Sequence, residues 1–334
     1  MKLKLVLLFS MAIYSSTTFA QRQAPTVNVI FDTDIGPDYD DVGAIALLHA
    51  LADDGKAKIL ATVASNKYEG IAAVLNVFNT YFKRPGIPIG VPRGDAVDER
   101  DGQHWSDTIL AKYPHKIKTN AEVDDATAVY RKVLAAQPDN SVTIVTVGFL
   151  TNIFNLMNSK ADVHSPLDGK RLIAKKVKLM VSMAGKFPTG KEFNVLKDVA
   201  ASNEVFQNIG IPVIYSGYEI GEKIKTGLPL VNNNTIKNSP VKDVFRIAMP
   251  QSPTDKDGRM SWDQTAVLVA INGCAPYYEL HKGKMSIVTA DGRNSWNDEG
   301  MGQAYLVEKM DYKAVQDVIN KLMIHQPKSK EGKL

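Results

Sequence analysis

Five aspartates crowd ten positions near the start of the chain, Asp32, Asp34, Asp38, Asp40 and Asp41, in the run FDTDIGPDYDD. Carboxylates this close repel one another unless something positive sits among them. A divalent cation is the economical answer, and oxygen ligands without Cys or His select a hard ion, Ca2+ or Mg2+. The spacing is not that of an EF-hand loop, because Gly36 comes too early and no terminal Glu follows. One or two of these acids can instead cap a helix expected from Val42, where the helix dipole favours negative charge. The single cysteine, Cys274, supports neither an intramolecular disulfide nor a Cys/His metal cluster.

Regular elements must position these acids. Thr26–Phe31, Ala57–Ala64, Ser141–Val147, Val177–Met183 and Ile211–Tyr215 are short apolar, β-branched runs that read as buried strands. Between them Val42–Leu51, Ile71–Phe82, Asp124–Ala136, Leu150–Asn158 and Asp198–Ile209 read as helices. Repeated β-α-β order predicts an α/β fold with an open, mostly parallel, Rossmann-like sheet and helices on both faces. In such sheets, sites gather at the carboxyl ends of strands. After Tyr215 the pattern is less regular. It holds a helix at Asp263–Ile271, short strands at Met285–Thr289 and Ala304–Val307, a helix at Tyr312–Ile324 and a polar, frayed tail from Gln326.

The composition excludes other classes. The 334 residues are 44% hydrophobic and 23% charged, as in an ordinary globular protein. A formal charge of +4 over that length is too dilute to argue for nucleic acid. The opening MKLKLVLLFSMAIYSSTTFA has a basic start, an apolar run of ten and small residues up to Ala20. It reads as a secretory signal cleaved near Ala20, leaving one domain over 21–334, exported to the periplasm or beyond. Ten apolar residues are too few to span a bilayer, so no membrane anchor is expected after cleavage.

The aspartate run resembles the opening motif of the inosine-uridine type nucleoside hydrolases. The resemblance continues through Val63-Ala64-Ser65-Asn66, Gly148-Phe149-Leu150-Thr151-Asn152, Met183-Ala184-Gly185, Glu192-Phe193-Asn194 with Asp198, and Trp262-Asp263. It implies hydrolysis of a ribonucleoside's N-glycosidic bond to free base and ribose, dependent on Ca2+. Asp34 would hold the metal and act as general base toward the attacking water. Asp41, Asp263 and the backbone carbonyl of Val147 would complete the ligand set. Asp40, Asn66, Met183, Glu192 and Asn194 would bind the ribose, with Phe193 beside them. The aspartate run is two residues longer than the shortest family form, so the ribose role falls to either Asp38 or Asp40, with Asp40 and Asp41 favoured because they directly precede the expected helix. Trp262 stands where pyrimidine-accepting members carry a histidine acid, and so resembles purine-specific members that stack the base between aromatic rings. Trp105 is a candidate second ring, and His104 the other candidate acid. The family further implies a homodimer or homotetramer. Two other readings compete. One is a non-catalytic sugar- or nucleoside-binding protein on the same fold. The other is a haloacid-dehalogenase-type phosphatase with Asp32 as nucleophile.

Overall fold

The computed structural model describes residues 25–288 and 290–327; the expected leader at 1–20 lies outside them. Among the described residues there are thirteen strands: β1 Val27–Thr33, β2 Ala57–Ala64, β3 Ile89–Val91, β4 Asp124–Asp125, β5 Val142–Thr146, β6 Val177–Met183, β7 Thr189–Gly190, β8 Val213–Ser216, β9 Lys225–Thr226, β10 Arg259–Met260, β11 Tyr278–Val288, β12 Arg293–Asn297 and β13 Gln303–Glu308. Eleven of them form one sheet in the order β4-β3-β2-β1-β5-β6-β8-β13-β11-β12-β7, and β9 pairs with β10 separately. Pairing is parallel from β4 through β13, and antiparallel from β13 through β11 and β12 to β7. The expected α/β architecture is thus present.

The central strands are buried on both faces, which is why they read as continuous apolar runs rather than alternating ones. One buried cluster joins Val29 and Phe31 to the helices Asp40–Asp53 and Trp262–Asn272. A second, on the opposite side, joins Ile30 and Ile144 to Tyr130, Leu134 and Ile153. No helix among the described residues is long and apolar enough to cross a membrane.

Successive strands β1 to β4 build outward in one direction, while β5, β6 and β8 build outward in the other. The order therefore reverses between β1 and β5. At such a switch point the flanking loops diverge and leave a crevice above the strands' carboxyl ends. Asp34 follows β1 and Val147 follows β5.

Several expectations shift. The first helix starts at Asp40, so Asp40 and Asp41 form its first turn instead of preceding it. Asp124–Asp125 is a short strand, and the Asp125 carboxylate caps the helix Ala126–Ala135 by accepting from the N–H groups of Thr127 and Ala128. The strand expected at Met285–Thr289 begins at Tyr278 and pairs with both β12 and β13; Thr289 lies outside the described residues. Gln326 is tied down, accepting from the Tyr81 hydroxyl at 2.6 Å; the tail beyond 327 is not described.

Candidate active site

Two helices deliver three acids to the crevice. Asp40 and Asp41 lie in the first turn of Asp40–Asp53, and Asp263 in the first turn of Trp262–Asn272. The helices sit side by side because residue 43 is glycine: a Cβ there would meet the Gln264 side chain at 2.2 Å. Carboxylate oxygens of Asp40, Asp41 and Asp263 lie within 4.8 Å of one another, all buried. Asp34 lines the same pocket from the end of β1.

Burial and mutual repulsion raise the proton affinity of this group. Asp34 is pushed well up by burial and then by the Asp41 charge; Asp263 by burial and then by Asp40, Asp41 and Asp34. Burial takes Asp41 to about 7. Among the described residues one guanidinium, that of Arg259, contacts the group, at 3.0 Å from Asp40. A single cation does not balance four buried carboxylates. Asp41 accepts from the Thr33 hydroxyl through Oδ1, while its Oδ2 is buried with no hydrogen-bond partner. An orphaned anionic oxygen among buried acids fits a hard divalent cation, and the all-oxygen donor set agrees.

The other pocket walls carry mixed duties. Glu192 lines the pocket and also caps the helix Phe193–Lys197, accepting from the N–H of Asn194 at 2.7 Å and of Val195 at 3.1 Å. A third bond, from the Gly185 N–H at 3.1 Å, ties it to the end of β6. Asn194 donates to the carbonyls of Met183 and Val147 at 3.2 and 3.3 Å. The Glu-Phe-Asn run thus has a structural duty that the sequence did not show. Met183, Val147 and the half-exposed Phe193 complete this side.

Three expected residues lie elsewhere. Asn66 is buried beneath the pocket and does not line it. Its amide donates to the carbonyls of Asp34 at 3.2 Å and Glu99 at 2.5 Å, so it fixes the Asp34 loop rather than facing a sugar. Trp105 is 0% exposed within the apolar core, so it cannot form the second wall of a base site. The His104 side chain is 69% exposed, sits against Asp107 at 3.3 Å and is no acid of this pocket. Asp32 faces the other side of the sheet, where it accepts from the Tyr130 hydroxyl at 2.7 Å and from the Asn152 amide at 3.1 Å. That removes its carboxylate from the crevice and with it the phosphatase geometry.

Two residues of the site were missed. Tyr218 packs against Trp262 with ring centroids 5.3 Å apart and an angle of 31°, and its carbonyl accepts from the Trp262 indole at 2.8 Å. The rings are too close for a base to enter between them, so they form one aromatic wall. Tyr218 lies just beyond β8, where the strand-end rule could have found it. Arg259 lies in the polar stretch before Trp262 and carries no motif.

Two glycines let the parts approach. A Cβ on Gly148 would meet the Asp34 N–H nitrogen at 2.4 Å, and one on Gly221 would meet the Trp262 Cα at 2.4 Å. Gly148→Ala is expected to cost about 1–3 kcal/mol by overpacking and to lower activity more than its fall in melting temperature suggests. Thermal unfolding and a rate assay on the same protein check this.

The sequence model of the inosine-uridine preferring nucleoside hydrolases matches residues 29–319. The chain belongs to this family. It is 32% identical over 208 residues to the pyrimidine-specific ribonucleoside hydrolase RihA of Salmonella enteritidis PT4 (strain P125109), a match covering 58% of this chain and 61% of the relative. The chain thus spans about three-fifths of the length of the curated relatives it matches. In three dimensions it resembles a plant nucleoside hydrolase, PpNRh1, with a TM-score of 0.69 at 17% identity, covering 90% of this chain and 99% of that one. It also resembles the purine-preferring ribonucleoside hydrolase of Gardnerella vaginalis, with a TM-score of 0.67 at 14% identity and coverage of 89% and 98%. These two likenesses speak for the fold.

Proposed function

We propose that this family member hydrolyses the N-glycosidic bond of ribonucleosides, with Ca2+ held by Asp41 and Asp263 together with Asp34 and the Val147 carbonyl. The observation that carries the reading is one pocket that joins a buried, under-neutralised carboxylate cluster to a half-buried aromatic wall. Such a cation supplies acidification and placement of water. The rest falls to the chain. Asp34, on the pocket wall just beyond β1, would receive the proton of the attacking water. Glu192 and Asn194, each fixed by two or more hydrogen bonds, present polar edges to sugar hydroxyls without needing to reorganise. Trp262 and Tyr218 offer a face on which the base stacks. An exported homodimer or homotetramer completes the proposal.

Base preference follows from the wall. Trp262 at this position supports purines, whereas RihA, similar over part of the chain, is named as pyrimidine-specific. The test is a panel of inosine, adenosine, guanosine, uridine and a sugar phosphate, assayed for reducing sugar and for phosphate, with Ca2+ or chelator. Ribose from the purine nucleosides is expected, and phosphate release would overturn the proposal. Trp262→His is expected to move the ratio of kcat/KM for inosine over uridine about fivefold or more toward uridine, the loss of one stacked ring being worth about 1 kcal/mol or more. An unchanged ratio would remove Trp262 from base selection.

A further inference from the structure

Hydrolysis of an N-glycosidic bond needs help at both ends. A base must take the proton of the water, and something positive must meet the electron pair that leaves with the nucleobase. The acid cluster and Asp34 serve the water end. At the aromatic end the pocket wall holds no histidine, lysine or arginine among the described residues. A nucleobase departing there would carry charge that the wall itself does not meet.

The cations around that end differ in what holds them. Arg259 lies 5.1 Å from the Trp262 ring centroid, but its guanidinium is shared between Asp38 and Asp40. Lys191 reaches Asp291 at 3.1 Å. Lys186, in the same loop as Lys191, stands with its ammonium over the Tyr218 ring, 4.6 Å from the centroid. That ammonium makes no ion pair or hydrogen bond among the described residues. The Glu219 carboxyl, raised by burial, feels the Lys186 charge only from beyond ion-pair distance.

The root of this side chain is fixed. The Lys186 N–H donates to Asn294 Oδ1 at 2.9 Å, and the Lys186 carbonyl accepts from Asn294 Nδ2 at 2.9 Å. Asn294 is fully buried on β12 and pairs there with Gly190 of β7. Gly190 leaves room for the lysine stem: a Cβ at that position would meet Lys186 Cδ at 2.7 Å. The antiparallel end of the sheet thus seats Lys186 beside the aromatic wall, while its flexible four-carbon stem lets the ammonium follow a ligand.

We infer that Lys186 meets the departing nucleobase, its ammonium donating a charge-assisted hydrogen bond to the base as the bond breaks. This rests on the reading of the pocket as a ribonucleoside hydrolase site. In the step, the bond from the sugar's C1′ to the base nitrogen breaks and its electron pair goes to the base. The water oxygen bonds to C1′, and the water's proton goes to Asp34. The anionic base stays paired with the ammonium until it takes a proton from solvent on release. A charge-assisted bond of this kind is stronger than a neutral one, and it strengthens as negative charge develops, so it favours the transition state over the bound substrate.

The test compares inosine and uridine, whose bases leave poorly, with p-nitrophenyl β-ribofuranoside, whose nitrophenolate leaves without help. Wild type, Lys186→Met and Lys186→Arg are assayed, all with Ca2+. Methionine keeps an apolar stem against Gly190, and the side chain is half-buried in a loop, so the fold should hold. Lys186→Met is expected to lower kcat for the nucleosides on the order of 10²–10³-fold, with KM changed less and the nitrophenyl riboside cleaved nearly as fast as before. Lys186→Arg, which keeps the positive charge, should recover most of the loss. Nucleoside turnover unchanged in Lys186→Met, or an equal fall on all three substrates, overturns the role and leaves the hydrolase reading standing. Inosine 5′-monophosphate is a fourth substrate, and a fall confined to it would assign the ammonium to a sugar phosphate and likewise overturn the inference. A wild type that cleaves neither nucleoside nor the nitrophenyl riboside overturns the hydrolase reading and the inference with it.

Discussion

Asp34→Asn is expected to lower kcat for inosine on the order of 10²–10⁴-fold, the range for removing a positioned general base, with KM changed far less. Asparagine keeps the shape of the loop but cannot take a proton. Its amide also removes one negative charge from a buried group that raises the proton affinity of every member. The fold of the cation-free protein should therefore hold, and far-UV circular dichroism should be unchanged. Asp32→Asn is the internal control. Asp32 faces Tyr130 and Asn152 across the sheet, so its loss should affect stability and leave turnover nearly intact. A phosphatase built on Asp32 would show the opposite pair of results.

The second large effect is on stability. Without a cation, Asp32, Asp41 and Glu192 are each raised to about 7 chiefly by burial, and Asp34, Asp40 and Asp263 are raised as well. A carboxyl whose folded pKa exceeds its unfolded value binds protons more tightly when folded. Its contribution is present below pH 4 and is lost as pH rises through about 7. A shift of about three pK steps is worth about 4 kcal/mol for a fully buried group. The chelator-treated protein is thus expected to lose roughly 10 °C or more of melting temperature between pH 5 and pH 8. If, as proposed, Ca2+ binds the folded, deprotonated cluster, then at a hundred times its dissociation constant it should restore about 2.7 kcal/mol at pH 8 and little at pH 5. Thermal scans at both pH values, with chelator and with Ca2+, check this. A melting temperature that rises with pH in chelator would contradict it.

Much of this was legible in the sequence where local chemistry and tertiary structure agree. Ala57–Ala64 and Val177–Met183 are strands with the expected bounds, because buried parallel strands need continuous apolar residues. The aspartate run declared its own electrostatic problem. Legibility failed where a side chain's fate is set by distant residues. Trp105, placed in a loop as a candidate second ring for the base, instead starts a helix that packs into the core. Asn66 sits at a strand end, as a ligand-binding residue would, yet its amide is spent on the carbonyls of Asp34 and Glu99. Asp38 and Asp40 are indistinguishable by type. Donors more than two hundred positions away distinguish them: Arg259 with the Trp262 and Asp263 N–H groups fills both oxygens of Asp40, whereas Arg259 reaches one oxygen of Asp38. The antiparallel strands β11 and β13 escaped full reading because their half-exposed residues lack the apolar continuity of the central strands.

The central claim is that water, activated in this acidic pocket, cleaves the bond between sugar and base. Isotope placement tests it most directly. The Ca2+-loaded protein is incubated with inosine in phosphate buffer made with H2(18)O, and the products are weighed by mass spectrometry. The account predicts hypoxanthine without label, an equal amount of ribose carrying one 18O, no ribose phosphate, and no reaction after chelation. Release of a phosphorylated sugar, label in the base, or intact inosine after prolonged incubation would contradict it.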